Sequence, residues 1–316
     1  MKLLLTATEG EAYFDLLNDL PDLEIVRADS PAQALALAVD ADVIYGLPTA
    51  DLVAAAPRLR WVQSSSAGVE YVAGIPALVA SDVIITNTRG AHGPSIGEHT
   101  FGLLLAMTRD IPMCLDQQRQ HLWDRNVLYR TAREIQGLTM GIIGFGAIGR
   151  GIAERAVGFG LNLIALDLHA VDGSPFVDEI LPASRLDELL GTADIVVVTA
   201  PYTPQTHHLL GSAELARMRD NAYLIVVSRG GIVDEAALVA ILKSGHLAGA
   251  AIDVAEVEPL PADSPLWDAP RLLITPHLAG ASGPKERRCV EILKENLIRF
   301  AHGDPLLNMV DKRLGY

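Results

Sequence analysis

An α/β fold of two doubly wound parallel-sheet domains with an interdomain cleft is predicted by three observations. Short apolar runs alternate with helical pattern along most of the 316 residues, a glycine turn joins one run to a helix near mid-chain, and polar clusters follow several later runs in succession. Alternation of this kind implies right-handed crossovers between parallel strands. A doubly wound sheet then collects its functional side chains beyond the carboxyl ends of its strands, where a ligand is expected to bind.

In chain order, Lys2–Thr6, Glu24–Arg27, Val43–Tyr45, Trp61–Gln63 and Val83–Thr86 read as strands with helices between them, so residues 1–97 form a first α/β unit without a glycine fingerprint. A helix is expected over Glu98–Arg109, then an irregular stretch to Gly137 that contains Pro112 and Trp123. The second unit, residues 98–283, carries apolar strands at Leu138–Ile143, Leu161–Leu166, Ala193–Val198, Ala222–Val227, Gly249–Asp253 and Leu272–Thr275. Ser184 with Asp187 resembles a capping pair before Leu186–Leu190, while Asp234 opens a helix that Gly245 closes. The last apolar-periodic stretch, Glu286–Phe300, follows Gly283-Pro284.

The glycine turn is Gly144-Phe145-Gly146-Ala147-Ile148-Gly149, set between a strand and a helix N-terminus. Gly144 permits a tight turn, Gly146 lets backbone approach a pyrophosphate, and Gly149 lets the helix pack closely on the sheet. The phosphates would meet free N–H groups and the positive end of the helix dipole. The next strand ends in Asp167, near the offset of about 20 residues expected for a ribose-binding acid. A carboxylate there accepts bonds from ribose hydroxyls and repels a 2′-phosphate, so the expected cofactor is NAD(H) rather than NADP.

Composition narrows the function classes. The chain is 50% hydrophobic with a formal net charge of −14, and it has no Lys/Arg cluster, which argues against nucleic acid or an anionic membrane as partner. No apolar run approaches the roughly 20 residues of a membrane span, and the N-terminal run is too short for a signal peptide. Two cysteines, Cys114 and Cys289, lie far apart in no metal-like spacing, which fits a reducing cytoplasm.

Three polar clusters follow strands of the second unit: Ser228-Arg229-Gly230-Gly231, Asp253 to Pro259 with Glu256 and Glu258, and Thr275-Pro276-His277-Leu278-Ala279-Gly280. With the glycine turn, Ile96-Gly97-Glu98-His99, Pro201 to Thr206, and Ser264-Pro265-Leu266-Trp267, this ordered set resembles the NAD-dependent D-isomer-specific 2-hydroxyacid dehydrogenase family over nearly the whole chain. The resemblance implies a Rossmann/flavodoxin-like pair of domains: a substrate domain, 1–97, completed by the C-terminal helix in 284–316, and an NAD-binding domain, 98–283. It also implies Arg229, Glu258 and His277 as the catalytic group, Asp253 as a supporting acid, and cofactor contacts from the glycine turn, Asp167, Pro201, Thr206, Ser228, Asp253, His277 and Ala279. No metal is implied.

The residue types suit that chemistry. Reduction of a 2-oxo acid needs a hydride at the carbonyl carbon and a proton at the oxygen as negative charge develops there. Histidine can give that proton near neutral pH; Glu258 beside it would orient the ring and stabilise its positive charge. Arg229, planar and permanently charged, would grip the substrate carboxylate and polarise the carbonyl.

In the first unit, Ser64 to Glu70 follows a strand and resembles the family's substrate loop, with the amides of Ser66, Ala67 and Gly68 as candidate carboxylate ligands. Tyr45, Leu47, Arg89 and His92 are read mainly as loop packing. His207 and His208, being adjacent, are expected to point apart, with no metal-binding spacing nearby. Tyr202 replaces the leucine common in the family's Pro-Leu-Thr segment.

The expected activity is hydride transfer between NAD(H) and a small D-2-hydroxy acid or 2-oxo acid of the glyoxylate, hydroxypyruvate or pyruvate type. Formate dehydrogenases share the architecture, but their pattern has glutamine at the Glu258 position. The alternatives are an NAD(H)-binding corepressor-like scaffold, and a phosphoglycerate dehydrogenase lacking a regulatory domain. The resemblance further implies a homodimer built on the NAD-binding domains, with Pro112–Gln136 as an arm.

Overall fold

The computed structural model describes all residues except 9, 127, 169–172 and 313–316. The chain divides into two compact units, Met1–His92 with Ala281–Tyr316, and Gly93–Gly280.

The first unit holds β1 (Lys2–Leu5), β2 (Glu24–Arg27), β3 (Val43–Tyr45), β4 (Trp61–Gln63) and β5 (Ile84–Thr86), all parallel in the order β2-β1-β3-β4-β5. β1 and β3 read as apolar runs because both faces of the sheet are covered there, whereas the edge strand β2 keeps exposed Glu24 and Arg27. Side chains alternate between two cores: Leu3, Val43, Tyr45 and Trp61 lie on one face, and Leu4, Ile44 and Val62 on the other. The crossovers include α1 (Pro31–Ala38), α2 (Ala50–Ala54) and α3 (Pro76–Ala80). Ser30 and Thr49 cap the first two by accepting the Gln33 and Leu52 N–H groups, each such cap being worth about 1 kcal/mol.

In the second unit, α4 (Gly93–Thr108), α5 (Ile111–Arg119) and α6 (Leu128–Thr131) precede β6 (Thr139–Ile143), α7 (Ala147–Ala156), β7 (Asn162–Asp167), β8 (Glu179–Pro182), α8 (Leu186–Thr192) and β9 (Ile195–Val198). Then follow α9 (Ser212–Arg217), β10 (Tyr223–Val226), α10 (Glu235–Ser244), β11 (Gly249–Ile252) and β12 (Leu272–Ile274). All seven strands are parallel in the order β12-β11-β10-β9-β6-β7-β8. Strand order reverses between β6 and β9, which opens a crevice beyond the ends of those two strands. β9, β10 and β11 are buried along their whole length.

The chain returns to the first unit through α11 (Gly283–His302), capped by Ser282, whose hydroxyl accepts the Lys285 N–H. Its Val290, Leu293 and Leu297 pack into the same core as Leu3 and Trp61. Asn296 ties the helix down through buried bonds from its amide to Gln63 Oε1 at 3.0 Å and from Leu307 N–H at 2.7 Å.

Local differences from the sequence expectation have physical causes. The stretch expected to be irregular up to Gly137 contains α5, which starts after Asp110 adopts φ 52° and places Pro112 in its first turn, where the missing proline N–H has no helical partner to lose. Helix α4 begins at Gly93, five residues before Glu98, because glycine and proline are also tolerated in a first turn. Ser184 does not cap α8: it lies in a 3₁₀ turn, and Arg185 occupies the cap without a side-chain bond, its guanidinium instead pairing with Glu179 and Glu188. The edge strand β8 escapes the apolar-run criterion because only Leu181 is buried.

Candidate active site

Beyond β6 the chain turns sharply at Gly144, φ 93°, where an added Cβ would lie 2.6 Å from Ala200. Gly149 is equally closed, since its Cβ would meet the Gly144 carbonyl at 2.4 Å. Gly146 is different: among the described residues, nothing lies within 4 Å of the position its Cβ would take. Two of the glycines are therefore required by the protein's own packing, whereas the third keeps a space clear that the fold itself does not need. Gly146 also starts α7 without any side-chain cap, leaving the first-turn amides of a ten-residue helix to a ligand.

The turn is braced on both sides. Phe145 is fully buried with the Arg150 guanidinium 4.7 Å above its ring, and its N–H donates to Asp167 Oδ2 at 2.7 Å. Thr199, just after β9, donates its hydroxyl to the carbonyls of Ile143 and Gly144. A half-buried carboxylate at the end of β7 and an uncapped helix start at the end of β6 are the pair of groups that an adenosine ribose and a pyrophosphate require. The residues present fit the cofactor.

The next strands deliver the catalytic candidates from one edge of the sheet. After β10, Ser228 Oγ is buried with no hydrogen-bond partner among the described residues, a polar group that a bound ligand would satisfy. Arg229 follows, its Nη1 donating to the Ser228 carbonyl at 2.7 Å. Gly230 is then forced by close approach, because a Cβ there would lie 1.9 Å from the Ala255 carbonyl oxygen. The loop after β11 crosses directly over the arginine's own turn.

Asp253, at the end of β11, has a side chain 1% exposed. Its Oδ1 accepts from the Thr275 hydroxyl at 2.6 Å and the Leu278 N–H at 3.0 Å, its Oδ2 accepts from the Ala279 N–H at 2.8 Å, and its carbonyl accepts the His277 N–H at 2.8 Å. These bonds hold His277 at φ 52°, a left-handed conformation uncommon outside glycine. Asp253 thus fixes the histidine through the backbone. His99 on α4 extends the network, with Nε2 3.0 Å from Thr275 Oγ1.

The His277 ring meets Glu258 Oε2 through Nδ1 at 2.6 Å, while Glu258 Oε1 accepts the Ala255 N–H at 3.0 Å. Both side chains are partly exposed, 47% and 37%. With Nδ1 donating to the carboxylate, Nε2 is left as the atom that exchanges a proton with a substrate.

Residues 101–279 match the model of the D-isomer specific 2-hydroxyacid dehydrogenase NAD-binding domain. The chain belongs to the D-isomer specific 2-hydroxyacid dehydrogenase family. A glyoxylate reductase of Thermofilum pendens is 34% identical over 84% of this chain and 78% of its own length. A D-3-phosphoglycerate dehydrogenase of Methanocaldococcus jannaschii is 30% identical over 98% of this chain, which spans 59% of that longer protein. Among solved structures, an NADPH-dependent glyoxylate/hydroxypyruvate reductase of Sinorhizobium meliloti, in complex with NADP and sulfate, superposes with a TM-score of 0.86 at 28% identity, covering 100% of this chain and 99% of the other.

The remaining candidates of this family member fall as follows. In the first unit the loop after β4 is already folded on itself: the Ser66 N–H donates to Ser64 Oγ and the Gly68 N–H to Ser66 Oγ, while Asn87 Nδ2 holds the Ala67 carbonyl. Tyr45 is buried with its ring edge against Phe14, so it serves the core. Thr206 bonds back to the Pro201 carbonyl and closes a turn after β9. His207 and His208 do not point apart; their rings stack with centroids 3.9 Å apart, because His208 adopts φ 49° and folds its ring back over its neighbour's. The sequence did not mark Thr199 and His99 as braces, because a hydroxyl bonded to a turn carbonyl and an imidazole bonded to a hydroxyl from a distant strand end leave no periodic signal.

Proposed function

We propose that the chain reduces small 2-oxo acids to D-2-hydroxy acids with NADH, with His277 as the acid–base, Glu258 as its partner and Arg229 as the carboxylate clamp. The observation that carries this reading is the His277–Glu258 bond of 2.6 Å, placed on strand ends adjacent to that of Arg229. When bound, the nicotinamide supplies the hydride. His277 Nε2 gives its proton to the carbonyl oxygen as charge builds there, and Glu258 stabilises the imidazolium before transfer. Arg229 binds the substrate carboxylate and lowers the energy of the developing alkoxide. In the oxidative direction neutral His277 takes the hydroxyl proton. Residues 1–92 are read as the substrate domain, with Ser66, Ala67 and Gly68 supplying amides to the carboxylate, the Ser66 and Gly68 N–H groups exchanging their bonds to Ser64 Oγ and Ser66 Oγ for it.

Asp167 supports NAD over NADP, since a 2′-phosphate beside it would meet like charge. Association into a homodimer through the cofactor units is supported by α5 and the following arm: Ile111, Met113 and Leu115 are exposed, Trp123 is 98% exposed and Tyr129 86%. Large apolar side chains exposed along one segment support its being covered by a second copy. Two free thiols and the absence, among the described residues, of a helix long and apolar enough to cross a membrane agree with the cytoplasm as the working compartment.

The test is steady-state oxidation of NADH and NADPH with glyoxylate, hydroxypyruvate, pyruvate, bulkier 2-oxo acids and a phosphorylated one. Turnover with a small unphosphorylated acid is expected. NADH binding without turnover of any acid would instead favour a nucleotide-holding scaffold.

A further inference from the structure

Outside the residues assigned above, and among the described residues, one group of side chains is assembled without a task. His207, His208 and Glu256 bring three ligand atoms within 4.8 Å of one another. We propose that they form a binding site for a borderline transition-metal ion of the Zn²⁺ type.

The donor set decides the class of ion. Two imidazole nitrogens and one carboxylate oxygen suit Zn²⁺ and its neighbours, whereas Ca²⁺ and Mg²⁺ prefer oxygen-only shells. Adjacent residues rarely serve one ion, since their side chains normally diverge. Here φ 49° at His208 removes that obstacle, and the bond from its N–H to the Gly231 carbonyl at 2.8 Å fixes the turn. The rings stack with an interplanar angle of 24°, and each offers a nitrogen within 4.8 Å of a Glu256 carboxylate oxygen.

Glu256 arrives from the loop after β11 and stands 3.5 Å from His208 Nε2. Its own N–H is anchored on Glu235 Oε1 at 2.6 Å. Tyr202 supplies the outer partner: its hydroxyl lies 3.2 Å from His207 Nδ1, and with Nδ1 donating to it, Nε2 keeps a lone pair for the metal. A tetrahedral shell with bonds of about 2.0–2.2 Å needs ligand atoms roughly 3.3–3.5 Å apart. The widest pair must therefore close by about 1.3 Å, a movement open to His208 and Glu256, whose side chains are 37% and 43% exposed. Three protein ligands leave the fourth position to water. The ion would pin the turn after β9 to the loop after β11, independently of the oxidoreductase reading.

Isothermal titration of the full chain with ZnCl₂, after EDTA treatment and desalting, tests this. One equivalent is expected to bind in the micromolar range, with Mg²⁺ giving no comparable heat. His208→Gln and Glu256→Gln are each expected to weaken binding at least about tenfold, and His277→Asn to leave it unchanged. Co²⁺ should give the visible bands of a tetrahedral site in the wild type and lose them in the double variant His208→Gln/Glu256→Gln. Equal Zn²⁺ binding by wild type and double variant would overturn the proposal, as would loss of binding in His277→Asn alone, which would place the ion at the catalytic pair.

Discussion

Asp253 grips the chain on both sides of His277. Its carbonyl accepts the His277 N–H at 2.8 Å, and its carboxylate accepts the N–H groups of Leu278 and Ala279 at 3.0 and 2.8 Å. The imidazole is placed by a buried carboxylate five residues before Glu258, the partner that the ring meets through Nδ1. Replacing Asp253 with Asn sets an amide N–H₂ against backbone donors, which costs about 1–3 kcal/mol for each unsatisfied buried group. Asp253→Asn is expected to lower kcat by about 10²-fold, the effect of a displacement near 1 Å. Stopped-flow and urea denaturation together check it; a loss of stability with full turnover would deny that Asp253 positions the histidine.

Two glycines of the turn should separate cleanly. Gly144→Ala meets Ala200 at 2.6 Å in a left-handed conformation, whereas Gly146→Ala enters open space. The first is expected to lower stability by about 1–3 kcal/mol. The second is expected to leave stability within about 0.5 kcal/mol while weakening NADH binding at least about tenfold, by filling the space reserved for the pyrophosphate. Fluorescence titration of NADH and urea denaturation of each variant give the two readouts. Unimpaired NADH binding by Gly146→Ala would remove the turn from the cofactor site.

Asp167→Ser removes the charge that a 2′-phosphate would meet while keeping a hydroxyl for the Phe145 N–H. The ratio of kcat/KM for NADH to that for NADPH is expected to fall by about tenfold or more, a change of roughly 1.4 kcal/mol in discrimination. An unchanged ratio would show that another residue sets the preference.

The two thiols differ in environment. Burial pushes the Cys289 thiol above its ordinary range, and the thiolate is the reactive form, so its reactivity at neutral pH falls. Cys114 is partly exposed. A disulfide reagent is expected to titrate one thiol quickly in the native protein and both after denaturation. Two fast thiols in the native state would contradict the packing of α11.

Much of this was legible in the sequence because a parallel sheet buried on both faces writes itself as apolar runs, as in Ile195–Val198 and Tyr223–Val226, all fully covered. The strand ends could be read for the same reason: Arg229, Glu258 and His277 each follow such a run. What could not be read depends on backbone conformation. The positive φ of His208 turns two neighbouring rings onto one side, and that of Asp110 starts a helix where charges and a proline suggested a loop. Nor does periodicity show that Gly230 is forced by the Ala255 carbonyl, since that contact joins two loops that are distant in the chain.

The central claim is that His277 moves the proton while other groups hold the ligands. Single-turnover oxidation of enzyme-bound NADH by glyoxylate, followed at the nicotinamide absorbance in wild type and His277→Asn, tests it most directly. The expected result is a rate lowered by about 10²–10⁴-fold, the usual contribution of a positioned general acid, with NADH affinity nearly unchanged. Wild-type turnover by His277→Asn would contradict it.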